Sequence, residues 1–386
     1  MHPRRGGPKL SAIVCDIIPP HILRSIAEHG DAVDRERAHL ALEMSAHTRG
    51  EREGVARLAA KAILAPSLKR RTVFDANHTR ELPGRLVRAE GQRRVRDVAA
   101  NEAYDGAGKT HDFFRRVHER NSVDDRGLPL DATVHYGADF VNAQWNGRQM
   151  MYGDGDGKYF RRFTTCLDVI AHELTHGVSQ YSAAFEYEGQ SGALSEHFSD
   201  VFGSLVKQYA KKQTASRADW LIGRGLFTRR VCGEAVRSMK APGTAYDDPV
   251  IGRDPQPSHM KKYRRMQSDH GGVHVNSGIP NHAFYQVATL VGGRAWEVAG
   301  KIWYRALTHK LTPRAQFRQC ADATWEAAGE LFGFGSAPQE AVLAGWRAVG
   351  ITISRGVIDR GPRLRVREEE EFTIPIAGAE LPQLML

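Results

Sequence analysis

Residues 168–180 read DVIAHELTHGVSQ, and inside them His172, Glu173 and His176 form an H-E-x-x-H motif. On a helix, residues four apart share a face, so both imidazoles can point at one metal ion. Glu173 then projects beside them, where its carboxylate can hold a metal-bound water. A surface helix carrying two unrelated histidines would read the same way. The motif therefore needs support from the rest of the chain.

A catalytic zinc takes three protein ligands and keeps one position open for water. The third ligand sorts the zinc hydrolases. A metzincin has a histidine six residues after the second one, but that position is Ser182. The thermolysin pattern has a glutamate twenty residues after the second histidine, and that position is Glu196. The related aminopeptidases usually have one residue less, which would be Ser195. Glu196 lies within residues 192–200 (GALSEHFSD), and Asp200 follows four residues later on the same helical face. Zinc-bound histidines donate their second N–H to a carboxylate, and Asp200 is spaced to accept it from His172.

These residues resemble the thermolysin family of zinc metallopeptidases, over roughly Thr72 to Ile351, and further motifs occur in the family's order. Residues 142–147 (NAQWNG) match the strand whose Asn142 and Ala143 would pair with a substrate backbone. Tyr187 falls at the transition-state tyrosine, and Arg237 within VRSM at the arginine that binds a substrate carbonyl. Residues 269–277 (DHGGVHVNS) carry the second catalytic histidine, His274, oriented by Asp269. The resemblance implies a two-lobed α+β fold: a β-rich lobe over 72–180, a helical lobe over 181–351, and the metal helix between them. It implies one catalytic Zn²⁺ on His172, His176 and Glu196. Glu173 would be the general base, with Tyr187 and His274 stabilising the oxyanion. Phe160, Phe163, Val169 and Val236 would line the pocket beyond the cleaved bond, giving endopeptidase cleavage before Leu, Ile, Phe or Val.

Two departures from the family carry information. Extracellular relatives hold a double calcium site beside the zinc helix. Asp168 and Asp219 remain here, but the other matching positions read Lys207, Leu221 and Arg224. A protein cation beside Asp168 is therefore expected where relatives bind Ca²⁺, and the usual double calcium site is expected to be lost. Ser195 also replaces the family's usual asparagine, which changes only local hydrogen bonding. The N-terminal region has its own resemblance. Residues 17–23 (IIPPHIL), with Pro19 and Pro20, are similar to the Pro-Pro motif in the short propeptides of the protealysin-like subgroup. That implies a helical propeptide over residues 1–70 that blocks the cleft until it is cleaved. Cys15 is read as an ordinary apolar cysteine in preference to a thiolate approaching zinc.

Composition is compatible with this reading and adds limits. With 386 residues, 41% hydrophobic and 26% charged, the chain suits one large or two ordinary soluble domains. The formal charge of +9 invites a nucleic-acid reading. Its basic runs are short, at Lys69–Arg71, Lys211–Lys212 and Lys261–Arg265, which disfavours that reading, and the family resemblance implies peptide and protein substrates instead. A monomer is expected. Cys15, Cys166, Cys232 and Cys320 are too dispersed for a cysteine zinc site or a disulfide framework. No stretch approaches the roughly 18 apolar residues of a membrane span. Asp16 interrupts the apolar run 10–18 and Pro19-Pro20 ends it, so a standard secretory signal is not expected. Cytoplasmic residence or non-classical export follows, although the family is often secreted.

Local patterns predict a helix at Pro20–Glu28 and helical spacing over 31–65. Short strands are expected at Thr72–Asp75, Arg85–Arg88, Leu130–Tyr136 and Phe140–Trp145, with a helix over Val95–Asn121 between them. Residues 147–157, including GDGDG, read as turns. Helices are expected at Ser191–Tyr209, His282–Leu290, Arg294–Thr308, Pro313–Leu331 and Pro338–Val349. Residues 352–386 read as an extension.

Overall fold

The computed structural model describes residues 15–44 and 69–354. The predicted helical run 31–65 is therefore seen only in part, as a helix over 32–44. The extension beyond Ser354 lies outside the described residues. The described residues through Ile353 belong to one compact unit.

A six-stranded sheet runs through the first half of the chain. Its strands are β1 (Cys15–Asp16), β2 (Arg71–Asp75), β3 (Arg85–Ala89), β4 (Leu130–Val134), β5 (Ala143–Trp145) and β6 (Met150–Tyr152), in spatial order β1-β5-β6-β4-β2-β3. The β2–β4 and β4–β6 pairs are parallel, and the others are antiparallel. β6 lies in the stretch expected to be all turn. Its three residues are all buried, so they lack the alternation that marks a strand with one wet face. β1 comes from the N-terminal segment, preceding α1 (Pro20–His29) and α2 (32–44). Pro19 is the N-cap of α1 and Pro20 sits in its first turn, where a missing N–H costs nothing.

Helix α3 (Val98–His118) packs on β2, with Asp97 as N-cap accepting from Ala100 N at 3.1 Å. The metal motif falls on α4 (Leu167–Gln180), and Glu196 and Asp200 fall on α5 (Gly189–Ala210). These two helices pack closely because position 203 is glycine. A Cβ there would stand 2.7 Å from Asp168 O and 3.3 Å from His172 Cβ. Residue size at Gly203 thus sets the gap that the three metal ligands span.

The helical part continues with α6 (Asp269–Asn276), α7 (Gly278–Val291), α8 (Ala299–His309), α9 (Phe317–Phe332) and α10 (Ala337–Ala348). α9 begins four residues later than expected, because Gln316 and Gln319 form a reciprocal capping box there. α6 falls outside the helices expected from the sequence. It opens with four residues in left-handed conformation, Asp269 to Gly272, and only then turns helical. Trp303 and Trp346 stack at 6.2 Å in the core of this region, and Trp303 Nε1 donates to His197 at 2.7 Å.

Candidate metal centre and substrate cleft

One turn of α4 brings His172 Nε2 and His176 Nε2 to 3.0 Å from each other. Glu196 reaches across from α5, with Oε2 at 3.5 Å from His172 Nε2 and Oε1 at 3.5 Å from His176 Nε2. All three side chains are buried. Their outer atoms are held. His172 Nδ1 lies 2.9 Å from Asp200 Oδ1, and His176 Nδ1 lies 3.0 Å from Ser199 Oγ and 3.3 Å from Ser195 Oγ. Two imidazole nitrogens facing each other this closely, with a carboxylate beside them, form a donor set for a dication. Zn–N and Zn–O bonds of about 2.0–2.2 Å match it.

Around this centre stand the other predicted groups. Glu173 Oε2 accepts from Trp145 N at 3.0 Å, and Oε1 is buried with no protein partner among the described residues. His274 Nδ1 is 2.6 Å from Asp269 Oδ1, whose other oxygen accepts from His274 N at 3.0 Å. Tyr187 contacts Glu196 through its hydroxyl, which is 3.3 Å from His274 Nε2. Arg237 donates to both oxygens of Asp200, each at 2.9 Å. Asn281 also donates to Asp200, at 2.8 Å.

The N-terminal segment lies in this cleft. His274 Nε2 is 3.0 Å from Asp16 O, and Arg237 Nη1 donates to Ile17 O at 3.0 Å. Ile17 N donates to Ala143 O at 3.4 Å, and Ile18 N donates to Asn142 Oδ1 at 3.0 Å. The side chains of Asp16 and Gln144 also contact each other.

Two halves of one peptidase description match the chain: "Thermolysin metallopeptidase, catalytic domain" over residues 63–180 and "Thermolysin metallopeptidase, alpha-helical domain" over residues 183–351. The chain belongs to the thermolysin family of metallopeptidases. Among relatives of this metallopeptidase, an "Extracellular metalloprotease" of Pectobacterium carotovorum subsp. carotovorum is 48% identical over 347 residues, covering 88% of this chain and 97% of that protein. "Protease PrtS" of Photorhabdus sp. (strain Az29) is 43% identical over 346 residues, covering 87% and 92%. The solved precursor of protealysin, a metalloproteinase from Serratia proteamaculans, matches with a TM-score of 0.80 at 47% identity, over 88% of this chain and 100% of that one. Zinc is the metal of this family, and His172, His176 and Glu196 are the buried set that fits it.

Burial and neighbouring charge tune the thermolysin-family site. Burial pushes the Glu173 carboxyl up to about 8, reinforced by Glu196 and Asp16. Burial alone would lower His172 and His274, but Asp200 and Glu196 raise the first to about 9, and Glu196 and Asp269 raise the second to about 9. Burial would raise Glu196, yet His274, His176 and His172 hold it well below the usual carboxylate range. The negative field that attracts protons here equally attracts a dication.

The anticipated cation beside the zinc helix is Lys207. Its Nζ lies 2.9 Å from Asp168 Oδ2 and 2.8 Å from Asp219 Oδ1, and it donates to Leu221 O at 2.5 Å. Phe160, Phe163, Val169 and Val236 are all fully buried, and the first two rings stack at 6.2 Å. Four participants were missed from sequence: Ser199, Trp145, Asn281 and Asp16. Ser199 carried a signal, lying three residues after Glu196 and so on the same helical face. Trp145 and Asp16 act through backbone atoms, which leave no mark in residue type. The Cys15 backbone pairs with Trp145, while its side chain lies outside what is described.

Proposed function

We propose that the chain is a zinc endopeptidase made as a zymogen, whose N-terminal segment occupies the cleft in the register of a substrate. The carrying observation is the four-point backbone grip on Asp16, Ile17 and Ile18. On this reading the Asp16 carbonyl marks the seat of a scissile carbonyl, and Ile17 is the residue just beyond the bond.

Zinc bound by His172, His176 and Glu196 supplies Lewis acidity, polarising a carbonyl and lowering the pKa of water toward about 7. Glu173 takes the proton of the attacking water on Oε1 and returns it to the leaving amine, while the Trp145 amide fixes its other oxygen. His274, oriented by Asp269, and Tyr187 donate to the carbonyl oxygen as negative charge develops on it. Asn142, Ala143 and Arg237 hold the peptide on the amine side of the bond. Phe160, Phe163, Val169 and Val236 line an apolar pocket there, so bonds before Leu, Ile, Phe or Val are preferred. Ile17, apolar and fully buried, has the side-chain type this preference requires.

The segment is also docked outside the cleft. Lys158 Nζ binds Asp31 at 2.7 Å and Asp34 at 2.6 Å, Arg37 pairs with Asp139 at 3.0 Å, and Ser25 Oγ donates to Val250 O at 2.8 Å. These contacts favour inhibition by occupancy until the segment is cut and released. Export is proposed from the extracellular naming of the Pectobacterium relative. An internally quenched peptide with an apolar residue after the cleaved bond tests the whole reading. Trimmed enzyme should cleave it, the precursor should be slower, and chelator or Glu173→Ala should abolish turnover. Chelator-insensitive cleavage would sink the zinc mechanism, and an equally fast precursor would sink the inhibitory role.

A further inference from the structure

A second group of metal-donor side chains lies on the sheet lobe, away from the catalytic centre. His78 follows β2 in the turn before β3, His135 follows β4, and Asp154 follows β6. One donor atom from each lies within 4.8 Å of the other two. His135 Nδ1 is 2.8 Å from Asp154 Oδ2, and His78 Nδ1 is 3.5 Å from the same oxygen. The two imidazoles lie with centroids 5.5 Å apart, tilted by 53°.

We propose that His78, His135 and Asp154 form a second binding site for a divalent cation of the zinc class, with Asp97 as its outer carboxylate. Two imidazoles and one carboxylate suit zinc or its borderline neighbours, whereas calcium and magnesium require mostly oxygen donors. The outer layer is present. With Nδ1 turned to the metal, His135 Nε2 is 2.9 Å from Asp97 Oδ2 and donates to it, the arrangement that fixes a ligating histidine's tautomer and orientation. The backbone is tied as well. His78 N donates to His135 O at 2.8 Å, so the two ligand-bearing turns are held together before any ion arrives.

Charge favours a cation. Asp97 and Asp154 flank His135 on its two ring nitrogens, at 2.9 and 2.8 Å, and place two carboxylates around the donor set. The neighbouring Arg162 is engaged by Glu102 through bonds of 2.7 and 2.6 Å. His78 is more than half exposed, so it can swing the small distance needed to close the set. This site lacks a buried carboxylate such as Glu173, so its role is structural, joining the β2–β3 turn to the loop after β6. Ala76 and Tyr136, next to the ligand-bearing turns, belong to the apolar cluster that takes Met44 and Leu40 of α2. The second ion would therefore stiffen the face on which the N-terminal segment docks.

The test uses the full chain carrying Glu173→Gln, to prevent self-digestion, equilibrated with a modest excess of zinc chloride and freed of loose metal by gel filtration. Elemental analysis should find two zinc ions per chain, falling to one with added His78→Ala, whose exposed position leaves the fold intact. Asp97→Asn keeps the helix cap but removes the outer carboxylate, and should weaken the second site about 10–100-fold. Added zinc should raise the melting temperature of the parent and not of the His78→Ala chain, and calcium should not substitute. One zinc ion in the parent, or two in His78→Ala, would overturn the proposal.

Discussion

Lys207→Ala tests how the zinc helix is anchored. The Lys207 side chain is 7% exposed and that of Asp168 is 2% exposed, while that of Asp219 keeps 17%. Removing one partner of a buried ion pair costs about 3–5 kcal/mol, mostly from the charge left behind. Here the lower end applies. Asp219 retains some water, and Asp168 keeps the amides of Gly223 and Val169, each at 3.1 Å. About 3 kcal/mol in a large single unit lowers the melting temperature by about 6–12 °C. The sign of the ion effect is as informative as its size. With Lys207 gone, two carboxylates and the Leu221 carbonyl form an oxygen set, so millimolar Ca²⁺ should restore part of the lost stability. The intact chain should ignore Ca²⁺, because an ammonium already neutralises the carboxylates. Calorimetry at one scan rate, in a Glu173→Gln background with zinc held constant, reads both effects. An unshifted melting temperature in Lys207→Ala would refute the anchoring argument. So would an intact chain whose stability falls on chelation and returns with calcium but not with zinc.

Two further outcomes follow from the same geometry. His21 is half-buried with its Nε2 2.7 Å from the Tyr246 hydroxyl, and desolvation of the ring lowers it to about 4. Its folded pKa lies below its unfolded value near 6.5, so docking is strongest above that value and weakens as pH falls toward 4, by up to about 3 kcal/mol. A binding titration of nicked propeptide between pH 7 and 4.5 should show this loss, and His21→Gln should flatten the part that His21 supplies. Gly203→Ala should cost about 1–3 kcal/mol by overpacking and loosen zinc retention, since the new methyl meets Asp168 O. Chelator competition against the parent chain measures the zinc effect.

The metal centre was legible because its grammar is local. H-E-x-x-H is a statement about one helix face, and Asp200 repeats the same spacing from Glu196. The long helix α3 was legible for the same reason, being periodic over twenty-one residues. The elements that escaped depend on distant partners. β1 is two residues long and exists only because β5, more than a hundred residues later, offers an open edge. β6 is buried on both sides and so has no alternation to read. The left-handed run that opens α6 reads as loop in any local window, yet it carries Asp269 to His274. Likewise, His78, His135 and Asp154 follow three different strands, and only the β2–β4–β6 order of the sheet makes them neighbours.

Asp200 joins two functions that the sequence presents separately. Its Oδ1 lies 2.9 Å from both His172 Nδ1 and Arg237 Nη2, and its Oδ2 accepts from Arg237 and Asn281. The carboxylate beside His172 therefore also holds the guanidinium that donates to Ile17 O and that, on the proposed function, would grip a substrate carbonyl. Asp200→Asn should lose about 10–100-fold in zinc affinity and also raise KM at saturating zinc, because Arg237 loses its bidentate partner. Arg237→Met should raise KM with little change in zinc affinity, since Asn281 and His172 still hold Asp200. If the two groups act as one unit, the double variant should bind substrate no worse than the poorer single one, with a coupling of about 0.5–3 kcal/mol. Strictly additive losses would mean that metal and substrate are held independently, and that the shared oxygen is only a packing convenience.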